Sequence, residues 1–130
     1  MSVSTEPRND YVETGEGPTV MFVPGSFGTP AAWKGIHKRL PEGYRFVSTS
    51  LCGCGGAEET RTLAVASFQE QLKVNGTVTE RAGGLLHLVG HSFGGTIGLA
   101  AALAPGLNIA SVATFEANPM AIMKDRDPAL

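Results

Sequence analysis

An α/β domain, with a mostly parallel sheet and helices on both faces, is the fold class this sequence predicts. Three observations predict it. Short apolar, β-branched runs alternate with stretches of helical periodicity. The connections between runs have crossover length, which suits parallel pairing rather than hairpins. Glycine-rich segments, "PGSFG", "CGCGG" and "GHSFGG", follow successive runs, at the strand ends where such sheets bind ligands.

Taken in order, residues 11–14 read as a first strand, with "GEGP" as its turn. "TVMFV", residues 19–23, is a buried strand bounded by Pro18 and by "PGSFGTP". Residues 30–40 form a helix: Thr29 is a suitable N-cap and Pro30 a suitable first residue. Trp33, Ile36 and Leu40 then fall on one helical face, and Pro41 and Gly43 end it. Residues 44–51 are the next strand.

Residues 62–74 are helical in pattern, with Leu63, Ala66, Phe68 and Leu72 as apolar candidates. Asn75-Gly76 predicts a break, with a further helical turn up to Arg81 as the alternative. Gly83-Gly84 leads into a strand over 85–89. A helix follows Ser92 to about residue 104 and stops at Pro105-Gly106. Residues 109–115, "IASVATF", are the last clear strand, and "MAIMKDRDPAL" reads as a short helix or a loop.

Composition narrows the function. The chain has 130 residues, 42% hydrophobic and 17% charged, the balance of a globular domain rather than a disordered one. Its net charge of −2, with no basic cluster beyond Lys38-Arg39, predicts neither nucleic acid nor an acidic membrane as partner. The N-terminal decapeptide lacks an apolar signal core, so the cytoplasm is the expected location. The long apolar stretch 96–113 is broken by Gly98, Pro105, Gly106 and Asn108, which argues against a membrane span. Cys52 and Cys54 read as incidental thiols of a glycine-rich loop. They have no second Cys/His pair at metal-binding spacing, so no metal is expected.

Gly90-His91-Ser92-Phe93-Gly94 matches G-x-S-x-G. The pattern alone is common, and its context gives it meaning. It sits between a strand, "LLHLV", and a helix, "TIGLAAALA". A serine in that turn has strained backbone angles, and glycines two residues either side relieve the crowding. The helix N-terminus favours developing negative charge. Ser92 is therefore the candidate nucleophile. The backbone N–H of Phe93 is one candidate oxyanion donor and that of Ser26, in "FVPGSFG", the second. Gly25, Phe27 and His91 are the candidate substrate-binding residues.

Three segments carry a family resemblance: "TVMFVPGSFGTPAAW", "YRFVSTSLCGCGGAEET" and "LLHLVGHSFGGTIGLAAALAPGLNIASVATFEANP". In that order they resemble the N-terminal half of an α/β-hydrolase-fold protein of the serine type. Pro24-Gly25 stands where the family often has His-Gly. The resemblance implies a small acyl substrate, an acyl-enzyme on Ser92, and no cofactor or metal. It also implies an acid and then a histidine after the serine. His37, His87 and His91 all precede Ser92. We expect His91 to pack against the turn, His87 to be a hydrogen-bonded core residue and His37 to lie at the surface. Glu116, after the last strand, is the candidate acid, with Asp125 and Asp127 behind it.

The implied sheet is larger than these residues supply. Residues 1–130 are thus expected to be the N-terminal portion of one domain, with 1–10 a lead or first strand and 120–130 the start of a cap or linker. Such a portion would be inactive alone and would expose a sheet edge open to association. The leading function is a serine hydrolase of esters, thioesters or amides. The alternatives are a non-catalytic binding module, an acyltransferase or a cofactor-free peroxidase using the same turn.

Overall fold

The computed structural model describes residues 10–51, 55–56, 68–104 and 106–117. Their strands are β1 (Val12–Thr14), β2 (Thr19–Val23), β3 (Arg45–Ser48), β4 (Leu86–His91) and β5 (Ile109–Phe115). They make one sheet in the order β1-β3-β2-β4-β5. Only β1 runs antiparallel, against β3; the other three pairings are parallel. Val23 pairs with Gly90 and His91 with Phe115, so the carboxyl ends of β2, β4 and β5 reach one edge of the sheet together.

Strand alternation divides β2 between two cores. Met21 and Val23 face the larger one, with Val47, Leu86 and Leu88. There they meet Val78 and Ala82 of α2 (Phe68–Ala82) and Ala101 of α3 (Phe93–Leu103). Burying each of the valine, leucine and methionine side chains contributes about 1.5–3 kcal/mol. Gly98 lets α3 sit close to β4, because a Cβ there would lie 2.5 Å from Leu88 Cδ2.

Phe22 points to the opposite face, where a 3-10 turn (Pro30–Trp33) runs into the short helix α1 (Lys34–His37). Its ring meets Trp33 at 5.0 Å, His37 at 4.6 Å and Phe46 at 5.7 Å. This aromatic cluster changes three expectations. The helical stretch ends at His37 instead of running to Leu40. Its buried face is Trp33 and His37, four apart, while Ile36 and Leu40 stay exposed. His37 is half-buried rather than on the surface, stacked on Phe46 at 4.8 Å. Burial lowers its pKa.

Two other expectations are corrected. Helix α2 passes straight through Asn75-Gly76. Asn75 is buried, Thr79 Oγ1 donates to its carbonyl at 2.9 Å, and the next turns bury Val78 and Ala82. Tertiary burial outweighs the local turn signal. His87 is exposed, not in the core. It does hydrogen-bond, Nδ1 to Ser111 Oγ at 2.7 Å, but on the sheet face opposite α2 and α3. The expectations for Cys52, Cys54, Leu63, Ala66, Asp125, Asp127 and residues 120–130 lie outside the described residues. Among the described residues no helix is long and apolar enough to cross a membrane.

Candidate active site

Ser92 joins sheet to helix within a single residue. Its N–H donates to Phe115 O at 2.8 Å, extending the β4–β5 ladder. Its own carbonyl accepts from Gly95 N at 2.9 Å and Thr96 N at 3.2 Å, opening α3. The backbone must reverse between those two peptide planes. It does so at φ 54°, ψ −120°, a region L-residues seldom enter.

The flanking glycines make the turn sterically feasible. A Cβ on Gly90 would lie 2.5 Å from Gly94 O and 2.6 Å from Gly95 Cα. A Cβ on Gly94 would collide with the main-chain oxygens of Val23 and Pro24. The Ser92 turn is thus pressed against the end of β2.

The segment after β2 forms a second tight turn on the same edge. Gly28 N donates to Gly25 O at 2.9 Å, closing a four-residue β-turn with Ser26 and Phe27 at its centre. Phe27 has φ +64° and Ser26 does not have positive φ, the pattern of a type II turn. A Cβ on Gly25 would lie 3.1 Å from His91 Nδ1 and 3.3 Å from Ser92 Cβ, so the two turns touch.

Between them lies a cavity of about 960 Å³. Gly25, Ser26, Phe27, His91, Ser92 and Glu116 all line it. Phe93 stands at the head of α3, with its side chain packed toward the larger core. Among the described residues, three that are not glycine have positive φ: Phe27, Ser92 and Glu116. All three line this cavity. Each such residue costs of order 1–3 kcal/mol, and such strain gathers where geometry serves function.

The acid–base groups are less complete. His91 Nε2 lies 3.7 Å from Glu116 Oε2, with both side chains largely solvated. His91 lines the cavity, and its ring lies beside Gly25 of the facing turn. His37 is held in the Phe22–Phe46 ring cluster and His87 is hydrogen-bonded to Ser111. Among the described residues, none of the three histidines is hydrogen-bonded to Ser92 Oγ.

A family model described as the alpha/beta hydrolase fold matches residues 18–130. The chain belongs to that family. Three solved structures illustrate the likeness. An α/β hydrolase from Sphaerobacter thermophilus DSM 20745 is 26% identical, with TM-score 0.75, covering 88% of this chain and 43% of that one. A structure reported with carboxylesterases of the thaumarchaeon Nitrososphaera gargenis is 20% identical, TM-score 0.77, covering 91% and 44%. An esterase from Exiguobacterium antarcticum is 21% identical, TM-score 0.71, covering 83% and 41%. Comparison with curated proteins finds no match. The chain spans less than half the length of each of these structures.

In this α/β-hydrolase chain, Trp33, Ile36 and Phe115 also line the cavity. The sequence places Trp33 and Ile36 on one helical face and Phe115 at the end of the last strand, and assigns none of them to the site. A signal was present: Trp33 and Ile36 lie three apart, just after the turn that faces Ser92. Phe115 directly precedes Glu116.

Proposed function

We propose that the chain carries the nucleophile of a serine hydrolase acting on carboxylic esters. One observation carries the reading: Ser92 occupies a strained strand-to-helix turn that opens onto the cavity. Its flanking glycines leave no room for a side chain. The esterase and carboxylesterase among the structural neighbours favour an ester over a thioester or amide.

In this reading Ser92 Oγ attacks the ester carbonyl carbon while a general base takes the hydroxyl proton. The backbone N–H groups of Phe93 and Ser26 hold the resulting oxyanion. Losing one such donor typically costs ~3 kcal/mol of transition-state stabilisation. The bond to the alcohol oxygen then breaks, the base returns its proton to that oxygen, and water releases the acyl group. The base is proposed to be a histidine supplied from outside these 130 residues. Among the described residues His37, His87 and His91 make no hydrogen bond to Ser92 Oγ, which supports that assignment. Glu116 is its proposed acid partner, and solvation of both Glu116 and His91 leaves that role open to a partner ring.

The test is a fluorophosphonate probe on the protein expressed from its full reading frame. A single adduct is expected, mapped by peptide mass spectrometry to Ser92 and lost in Ser92→Ala. An unlabelled protein with correctly folded circular dichroism would favour a non-catalytic binding module instead.

A further inference from the structure

Phe27 poses a problem that the hydrolase reading does not answer. The central position it occupies in its turn has φ +64°, which suits glycine. The chain places a benzyl side chain there and leaves it 90% exposed. Backbone strain acts against that choice. It is not needed to form the turn, because glycine would form it without strain. The side chain itself must therefore be what the position supplies.

The surroundings indicate what it could hold. Phe27 shares the cavity with Trp33, Ile36, Phe115 and the buried Pro24, an apolar wall beside the Ser92 hydroxyl. Among the described lining residues there is no lysine or arginine, and Glu116 is the sole carboxylate. A ligand bearing its own carboxylate would find no cation there and would face Glu116. An uncharged hydrocarbon chain would bury its surface against three aromatic rings.

We infer that this cavity receives the uncharged apolar acyl chain of the ester, and that Phe27 is the side chain that reads its length. The inference rests on the serine hydrolase reading and names its substrate class. Phe27 forms one wall over the acyl chain, with Trp33 and Phe115 as the others. It touches substrate but takes no part in proton transfer.

Alkylboronic acids test this without turnover. Ser92 Oγ bonds to boron and the hydroxyl proton leaves to the base or solvent. Boron becomes tetrahedral and carries the negative charge. Trp33, the sole tryptophan of the chain, lines the cavity and reports binding by fluorescence. Boron NMR reports the adduct independently. Each buried methylene favours binding by up to about fourfold, and a half-buried chain gains less. Butylboronic acid should therefore bind about tenfold more tightly than methylboronic acid.

In Phe27→Gly that preference should fall to about twofold, and Phe27→Leu should restore most of it. Phe27→Gly suits the turn, so its unfolding midpoint should not fall, and lost affinity would not reflect lost structure. Succinic acid monomethyl ester, an anionic competitor, should fail to displace butylboronic acid, whereas methyl butyrate should displace it. A chain-length preference absent from the parent protein, or unchanged in Phe27→Gly, overturns this inference alone. Absence of any tetrahedral boron signal overturns the serine reading beneath it, and this inference with it.

Discussion

The two faces of β2 end in regions built on opposite principles. On the Ser92 side, main chain lies against main chain. Gly94 abuts the carbonyls of Val23 and Pro24, and Gly90 abuts Gly94 and Gly95. On the other side, ring lies against ring, with Phe22 at the centre of Trp33, His37 and Phe46. Backbone contacts cannot rotate away from an added atom, whereas side chains can adjust. The first region is therefore intolerant of added volume and holds strain. The second tolerates substitution and responds to its solvent.

The largest effect should come from adding one carbon to the first region. Gly94→Ala puts a Cβ into the carbonyl oxygens at the end of β2, where Val23 is still paired with β4. The loss should be about 3 kcal/mol or more, read as a large fall in urea midpoint or as failure to fold. If Gly94→Ala folds with a parent-like midpoint, the contrast between the two regions is wrong.

Next in size is removal of the strain at Ser92. Ser92→Gly suits φ 54°, ψ −120° and should raise stability by about 1 kcal/mol while abolishing probe labelling. Ser92→Ala should abolish labelling with no such gain, because alanine keeps the Cβ. Equal midpoints for the two variants would mean that the turn stores no strain.

This division also accounts for what was legible in the sequence. The Ser92 turn could be read because its determinants are local: an apolar strand, glycines at 90 and 94, and a helix start within a few residues. The strands β2 and β5 were legible for the same reason, as short apolar runs carrying β-branched residues. Burial of His37 was not, because its stacking partner Phe46 belongs to a different strand. Asn75-Gly76 misled because the turn signal is local, while the reason α2 continues is the docking of Val78 and Ala82 on the sheet. Exposure of His87 depends on which face the helices cover, and no residue near position 87 encodes that. The expected site residues Gly25, Ser26, Phe27, His91, Ser92 and Glu116 line one cavity, since each lies at the carboxyl end of a strand.

A smaller gain is expected within the tolerant region. Gly35 lies inside α1, a Cβ added there would meet nothing within 4 Å, and its φ is not positive. Gly35→Ala should stabilise the chain by about 0.5–1 kcal/mol through helix propensity. The same one-carbon addition thus has opposite signs at Gly35 and Gly94. Parallel urea titrations of the two variants check the pair directly.

The smallest effect should be a pH dependence that belongs to the aromatic cluster. Burial among Phe22 and Phe46 lowers the pKa of His37 below 6.5, and its Nε2 is buried without a partner among the described residues. Well above pH 6.5 the ring is neutral whether the chain is folded or unfolded, and it contributes no pH dependence. Below that value the unfolded chain binds a proton that the folded one resists. The unfolded state then holds more protons, so stability falls with falling pH until the folded pKa is reached. Partial exposure of the ring keeps the effect modest. His37→Phe retains an aromatic ring in the stack and removes the proton site. The urea midpoint of the parent should therefore drop more between about pH 7.5 and about pH 5 than that of His37→Phe. A difference of zero would mean that the ring is solvated in the folded chain, and the cluster would then be only a packing surface.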